Sequence, residues 1–360
     1  MKILLACGGT GGHLFPGIAL AEVFREKLKD VEIVFVGTPR GLEKEVLSKT
    51  DWRLQMIAVS SLADKKSFGK ISAALQVLRS LGSCFKLLRQ EKPDLVIGIG
   101  GYAAGPVVMM ASLMGKKTIS LEPNAVPGMT NRILKIFVNK MVTAYPGMEK
   151  YFGKKTLFLG VPIRKSILED VAQSVPMLKK VVFAFGGSQG SKTINDAILG
   201  SLFYLQDMKD KIHFIHQVGK HANVETIEKA YRDSGISAEV YPFIERMGLC
   251  YGKADLVIAR SGANTLAELI SLKKPSLLVP YPFSAGHHQE ANARSLEQEG
   301  GARVIPDAEM GGQHLAREIR RMITSPYLME EMQENLSRLG GGQATTKIVE
   351  ACLNGMGMNV

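Results

Sequence analysis

Cysteine is sparse in this 360-residue chain, and its four copies, Cys7, Cys84, Cys250 and Cys352, stand far apart with no C-x-x-C pair. That spacing excludes a disulfide scaffold and a thiolate zinc cluster, and it fits a reducing compartment. No Asp-x-Asp pair occurs anywhere, which argues against a metal ion bridging a nucleotide diphosphate. Tryptophan occurs once. Long apolar segments are lacking too. The run Ile3-Leu4-Leu5-Ala6-Cys7 after Met1-Lys2 faintly resembles a lipoprotein signal. It is shorter than the roughly 7–15 residues that a signal core needs, so it reads as a buried first strand. Residues 95–115 carry no charge and could span a bilayer by length. Five glycines and Pro106 divide them instead into a strand (LVIGIG), a loop (GYAAGP) and a helix (VVMMASLMG).

What the chain does have is ordinary globular composition, 46% apolar and 22% charged, over a length that predicts two domains. Its net charge of +11 favours polyanionic partners: nucleic acid, anionic lipid or phosphorylated substrates. Short β-rich runs (KILLAC, VEIVFVG, DLVIGIG, KTISLE) alternate with amphipathic stretches such as 17–28 and 77–88. Such alternation predicts an α/β fold of parallel sheets with helices on both faces. An internal repeat sharpens this. Residues 2–13 (KILLACGGTGGH) align without gaps on 180–191 (KVVFAFGGSQGS), identical at five of twelve positions. Each half therefore opens with strand, glycine turn and helix, which exposes backbone N–H groups to an anion. The halves are expected to meet near 160–175, with a ligand cleft at the carboxyl ends of both sheets. The final segment, 345–353, reads as a helix that could rest on either half.

The first glycine turn, Gly8–His13, is not a dinucleotide fingerprint, because Leu14 stands where the third glycine is required and no acid closes VEIVFVG. Its four glycines suit close approach to a sugar or diphosphate, or simply a tight turn. His13 falls in the first helical turn, where the dipole disfavours its charged form. It is either a base or a helix-terminal histidine. Gly100–Pro106 and Glu122–Gly128 also follow strands and should line the same cleft, with Glu122 and Asn124 as ligand contacts. In the second half, Ser188 and the turn Arg260–Ala263 offer hydroxyl and amide groups to phosphate, whereas Glu268 alone reads as a solvated helix residue. His287-His288 lack a third ligand at helical spacing, so no metal is expected. Gln289 and Asn292 share a helix face and suit sugar hydroxyls and an acetamido group. From 64 to 92 the chain carries a net +5, with Leu75, Leu78, Leu81, Phe85 and Leu88 at helical spacing. That is a membrane-surface helix or a core-facing helix with a solvated basic face. A nucleic-acid patch is disfavoured for want of an aromatic stacking platform.

Together GGTGGHLFPG (Gly8–Gly17), GGYAAGP, EPNAVPG, GGSQGS, RSGANTLAEL and HQEANA resemble, in order and spacing, glycosyltransferase family 28. Its peptidoglycan members convert lipid I to lipid II. The resemblance covers essentially the whole chain. It implies a GT-B fold, two Rossmann-like doubly wound parallel-sheet domains facing across a cleft. Residues 1–162 would hold the lipid acceptor, with 344–360 returning to them, and 163–343 would hold UDP-N-acetylglucosamine (UDP-GlcNAc). It implies inverting, metal-independent transfer of N-acetylglucosamine to the C4 hydroxyl of undecaprenyl-diphospho-N-acetylmuramoyl-pentapeptide, with no cofactor. His13 is then the first choice of base, with Glu122 orienting or replacing it. Ser188, Arg260, Ser261, Gly262, Ala263, Asn264 and Thr265 would meet the diphosphate, Glu268 the ribose, Ile244 the uracil, and Gln289 and Asn292 the sugar. Thr10, Gly11, Gly12, Asn124 and Arg164 would complete the donor contacts, and Gly100, Gly101 and Tyr102 the acceptor contacts. Residues 64–92 would meet the anionic inner membrane at its cytoplasmic face, with cell-division or envelope proteins as further partners. The chain departs from the family at Val161, where a hinge asparagine is usual, and at Glu245-Arg246-Met247, which sets a cation near the base. The alternatives are another GT-B UDP-sugar enzyme, a lipid glycosyltransferase or a UDP-GlcNAc 2-epimerase, and a non-catalytic binder of membranes or nucleic acid. An epimerase needs more carboxylates about the sugar than these motifs supply.

Overall fold

The structure, a computed structural model, describes residues 1–9, 11–39, 43–57, 70–187 and 189–358, without the side chains of 70–78 and Tyr102. These residues divide into two compact units, Met1–Arg164 with Gln343–Val360, and Lys165–Gly342. Among the described residues the first unit carries strands β1 (Lys2–Cys7), β2 (Glu32–Gly37), β3 (Arg53–Met56), β4 (Leu95–Gly100), β5 (Lys117–Glu122), β6 (Lys140–Thr143) and β7 (Thr156–Phe158). They form one parallel sheet in the order 3-2-1-4-5-6-7. The second unit carries β8 (Lys180–Phe185), β9 (Ile212–Gln217), β10 (Ser237–Tyr241), β11 (Leu256–Ala259), β12 (Ser276–Leu278) and β13 (Arg303–Val304). Their order is 10-9-8-11-12-13, again parallel. The fold is the expected α/β class, doubly wound in each unit.

Both strand orders reverse beside the first strand of their unit, between β1 and β4 and between β8 and β11. At such a switch point the following helices leave to opposite faces of the sheet, which opens a crevice at the strand carboxyl ends. The central strands are covered on both faces, which is why Ile3-Leu4-Leu5-Ala6-Cys7 and Val181–Phe185 are apolar without alternation.

The helices depart from the periodicity in an informative way. The first runs from Gly11 to Lys27 with Pro16 inside it, so His13 lies in its opening turn as the repeat implies. GYAAGP is not a loop but the opening of the helix Gly101–Leu113, with Pro106 inside. Each proline is the sixth residue of its helix, so it removes one N–H but leaves the opening turn intact. Tertiary contact overrides the glycine and proline signals: a Cβ on Gly98 would stand 2.7 Å from Val108 Cγ2, and one on Gly8 would stand 2.9 Å from Ala103 Cβ. The stretch expected as a linker contains the helix Lys165–Ala172, which lies tightly on Met247–Lys253 across Gly248 and Gly252. Among the described residues no helix is long and apolar enough to cross a membrane.

The carboxyl-terminal helix Ala344–Asn354 belongs to the first unit, where Ile348, Val349, Cys352 and Leu353 join the core of Ile3, Leu5 and Phe24. Thr345 Oγ1 both accepts from Ile163 N and donates to Ile163 O, each at 3.1 Å, so the returning chain is stitched beside the outgoing one.

In the second unit His216 is wholly buried on β9. Its Nδ1 accepts from Tyr231 Oη at 3.2 Å and its Nε2–H donates to Asn195 Oδ1 at 3.1 Å; Asn195 Nδ2 in turn donates to Val218 O. Burial pushes the His216 pKa down to about 4, and it lowers that of His213 as well. The native chain thus refuses a proton that the unfolded chain accepts below about 6.5. Stability should be full above that pH and fall by about 3 kcal/mol toward pH 4. Urea titrations of the whole chain check this: His216→Gln, whose amide can keep both bonds, should flatten that acid limb.

Candidate active site

In the first unit the glycine turn joins β1 to the helix Gly11–Lys27 at the switch point. Gly8 N donates to Gly100 O at 3.2 Å, and a Cβ on Gly101 would lie 1.7 Å from Gly8 O. Gly9, Gly100 and Gly101 all have positive φ, at 105°, 138° and 77°. Glycine is required here both for backbone shape and for contact. His13 is half-buried, and its ring lies over Gly100, where a Cβ would come within 2.3 Å of Cδ2. The structure therefore brings His13 together with Gly100 and Gly101. Gly11 and Gly12 form the first helical turn beside it. The Arg164 guanidinium stacks 4.3 Å above the ring of Phe15, which itself covers Gly11.

Glu122 ends β5, 2% exposed. Its Oε1 accepts from Asn124 N at 3.1 Å and Asn124 Nδ2 at 3.2 Å; its Oε2 accepts from Gly128 N at 2.9 Å and Asn131 Nδ2 at 3.0 Å. The carboxylate thus organises the EPNAVPG loop and holds the Asn124 amide. Thr10 and Ser188, both expected at the nucleotide, lie outside the described residues, as does the Tyr102 side chain.

In the second unit the two turns expected at the phosphates are tied by Arg260. Arg260 Nη2 donates to Ser191 Oγ at 2.8 Å, and Nη1 donates to Val279 O, Pro280 O and Asp307 Oδ1. Ser191 is the N-cap of the helix Lys192–Leu202. Most of the Arg260 charge is consequently answered by Asp307, and its guanidinium fixes the turns. The helix Ala263–Ser271 starts at Gly262, a residue with no side chain to cap it, and holds Ala263, Asn264 and Thr265 in its first turn. Such an N-terminus offers amides and the positive end of the dipole to a diphosphate.

Ser261 is buried and donates to Gln289 O at 2.8 Å; Asn292, also buried, donates to Ser261 O at 3.4 Å. Gln289 Oε1 accepts from Tyr281 N at 3.0 Å, so the amides expected at the sugar also brace the turns around them. Glu268 is half-buried rather than solvated, and the fully buried Tyr251 donates to its Oε2 at 2.8 Å. Ile244 is half-buried on the loop after β10. Arg246 beside it is engaged by Asp170, with Nε to Oδ1 at 3.0 Å, and by Gln173. The unusual cation is thereby neutralised. Among the described residues no three His, Cys, Asp or Glu side chains gather as a metal site.

Sequence reasoning missed Glu43, Tyr251, Asp307 and the capping role of Ser191. Ser191 carried a signal, a serine directly before an amphipathic helix. The others meet their partners across 17 to 47 residues, and no local pattern marks them.

Residues 3–143 match the glycosyltransferase family 28 N-terminal domain, and residues 181–348 match the glycosyltransferase family 28 C-terminal domain. The chain is 40% identical over 356 residues to the UDP-N-acetylglucosamine--N-acetylmuramyl-(pentapeptide) pyrophosphoryl-undecaprenol N-acetylglucosamine transferase of Myxococcus xanthus, covering 98% of this chain and 93% of that one. It is 39% identical over 360 residues to the protein of the same name from Syntrophus aciditrophicus, covering 98% of each. Among solved structures it resembles Acinetobacter baumannii MurG, with TM-score 0.80, 26% identity and coverage of 98% and 100%. UDP-GlcNAc 2-epimerase from Neisseria meningitidis, solved with UDP-GlcNAc bound, aligns at TM-score 0.69 and 16% identity over 98% and 100% of the two chains, a likeness of fold alone.

The Glu122 geometry generates a prediction that can be read in solution. Glu122→Gln turns an NH2 toward donors on one side of the loop, and should lower unfolding free energy by about 2 kcal/mol. Denaturant titration of the variant against the parent measures it.

Proposed function

The chain belongs to glycosyltransferase family 28, and we propose that it moves N-acetylglucosamine from UDP-GlcNAc to the C4 hydroxyl of undecaprenyl-diphospho-N-acetylmuramoyl-pentapeptide (lipid I), giving lipid II and UDP. The observation that carries this reading is identity of about 40% over nearly the full chain with transferases named for that donor and acceptor. An epimerase shares the fold at 16% identity and offers no comparable support.

The reaction joins the acceptor oxygen to C1 of the sugar as the bond from C1 to the diphosphate breaks, with inversion. His13 takes the hydroxyl proton. Glu122 acts at one remove, holding the loop that presents Asn124. The charge on departing UDP is met by Ser188, by the helix N-terminus capped by Ser191 and by the turn Arg260–Ala263. Glu268, held by Tyr251, takes the ribose, Ile244 the uracil, and Gln289 and Asn292 the acetamido sugar. Thr10, Gly11, Gly12 and Arg164 belong to the donor, and Gly100, Gly101 and Tyr102 to the acceptor. The first unit is thus the acceptor domain and the second the donor domain.

Residues 64–92, of which 64–69 lie outside the described residues, serve as a surface for anionic lipid at the cytoplasmic face of the inner membrane, with division or envelope proteins as further partners. On the helix Lys70–Glu91, Cys84, Leu87 and Leu88 are buried whereas Phe85 is exposed under Arg89. Exposed Leu113, Met129, Ile133 and Ile136 in the same unit support an apolar contact beside the basic charge.

UDP release from UDP-GlcNAc in EDTA, with and without a short-chain lipid I analogue, tests the reaction. Acceptor-dependent release with a disaccharide product is expected; release without acceptor would overturn it in favour of hydrolysis or epimerisation. In the same assay His13→Ala should lower turnover by roughly 10²–10⁴ with donor binding little changed. A loss below about threefold would remove His13 from the role of base.

A further inference from the structure

We propose that Glu43 is a positioning residue for this transfer, clamping the glycine turn after β1 and thereby setting where His13 stands. The inference rests on the reading of His13 as the base. Glu43 opens the short helix Glu43–Leu47 and is 1% exposed. Its Oε1 accepts from Gly9 N at 2.6 Å, a bond that crosses from the connection after β2 to the turn after β1. Its Oε2 is buried with no hydrogen-bond partner. Room for the side chain exists because β2 ends in glycine: a Cβ on Gly37 would lie 2.9 Å from Glu43 Cγ.

Fold stability does not explain such a group. A carboxylate withdrawn from water with one oxygen unmet is unfavourable, and an apolar side chain of the same length would fill the space without that penalty. What the carboxylate supplies is a charge-assisted bond, about twice as strong as a neutral one. It is made to a backbone segment that has little else to fix it, since Gly8 and Gly9 carry no side chains. Among the described residues the Gly8 amide is anchored on Gly100 O and the Gly9 amide on Glu43. Four residues later the His13 ring rests on Gly100. If the Gly9 anchor is lost, the turn can shift relative to β4, and the ring shifts with the turn. A displacement of about 1 Å at a reacting group is enough to lower a rate about 100-fold. Local rules broken at a functional position, without a stabilising return, are the pattern expected of residues kept for chemistry.

Two variants separate the clamp from a packing role. Glu43→Met keeps the length and removes the acceptor, whereas Glu43→Gln keeps an acceptor oxygen. Each is assayed for acceptor-dependent UDP release, for KM of UDP-GlcNAc, for melting temperature, and for deuterium exchange of the peptide containing Gly9. Glu43→Met should lower kcat roughly 10–100-fold, leave the donor KM within about twofold, melt no lower than the parent and exchange faster at Gly9. Glu43→Gln should recover kcat to within about fivefold of the parent and restore protection. The clamp is overturned if Glu43→Met keeps turnover within about threefold, if both variants lose equally, or if melting temperature and donor affinity fall together with kcat. Should the parent transfer no sugar while Glu43→Met alone loses protection at Gly9, the transfer reading fails and the clamp stands.

Discussion

In each unit two glycine loops at the carboxyl ends of central strands meet closer than any side chain would allow, those after β1 and β4 in the first and those after β8 and β9 in the second. In the first unit a Cβ on Gly101 would intrude to 1.7 Å from Gly8 O. In the second, a Cβ on Gly190 would lie 2.3 Å from Val218 O, and one on Gly219 would lie 2.4 Å from Gln189 O. Backbone rather than side chain forms the surface of both turns, which leaves amides within reach of a close-approaching group. The same absence of side chains leaves the turns without their own means of fixing their shape. Groups from outside supply it: Glu43 for the first turn, and Asn195, through Val218 O, for the loop against the second.

Charge follows the same division of labour. The chain carries a net +11, yet three arginines of the second unit are matched by carboxylates. Arg260 is paired with Asp307 and Arg246 with Asp170, and Arg294 bridges Glu290 and Glu297 on the helix that carries Gln289 and Asn292. Cations matched in place hold geometry, and the amides and dipoles of the helix starts are left as the unmatched positive ends. An arginine fixed by a carboxylate holds its guanidinium, and the turns it ties, in one place.

Much of this was legible beforehand because it is written in local patterns. The alternation of apolar strands and helices, the repeat of residues 2–13 in 180–191, and the glycine turns specify two doubly wound units and mark their switch points. His13 over Gly100 and the amide-presenting start at Gly262 stand where those patterns put them. GYAAGP reads as a loop because glycine and proline are intrinsic breakers, yet it opens the helix Gly101–Leu113. Gly11, Gly101, Pro16 and Pro106 all lie within helices, since close contact with neighbouring strands outweighs an intrinsic preference of about 1 kcal/mol per glycine. Glu268 by its local pattern alone reads as a solvated side chain, whereas Tyr251 reaches it from the core.

The sequence by itself determined which segments are strands, where the backbone must bend without a Cβ, and which family of chemistry the motifs serve, because each depends on neighbours within a turn or two. Tertiary structure alone decided which polar groups hold the turns still. Glu43 reaches Gly9 across 34 residues and Arg260 reaches Asp307 across 47, and the helix Ala344–Asn354 closes a core begun at Ile3. A hydrogen bond or a buried face depends on distance in space, and the pairing exists only after the sheets have brought remote segments together.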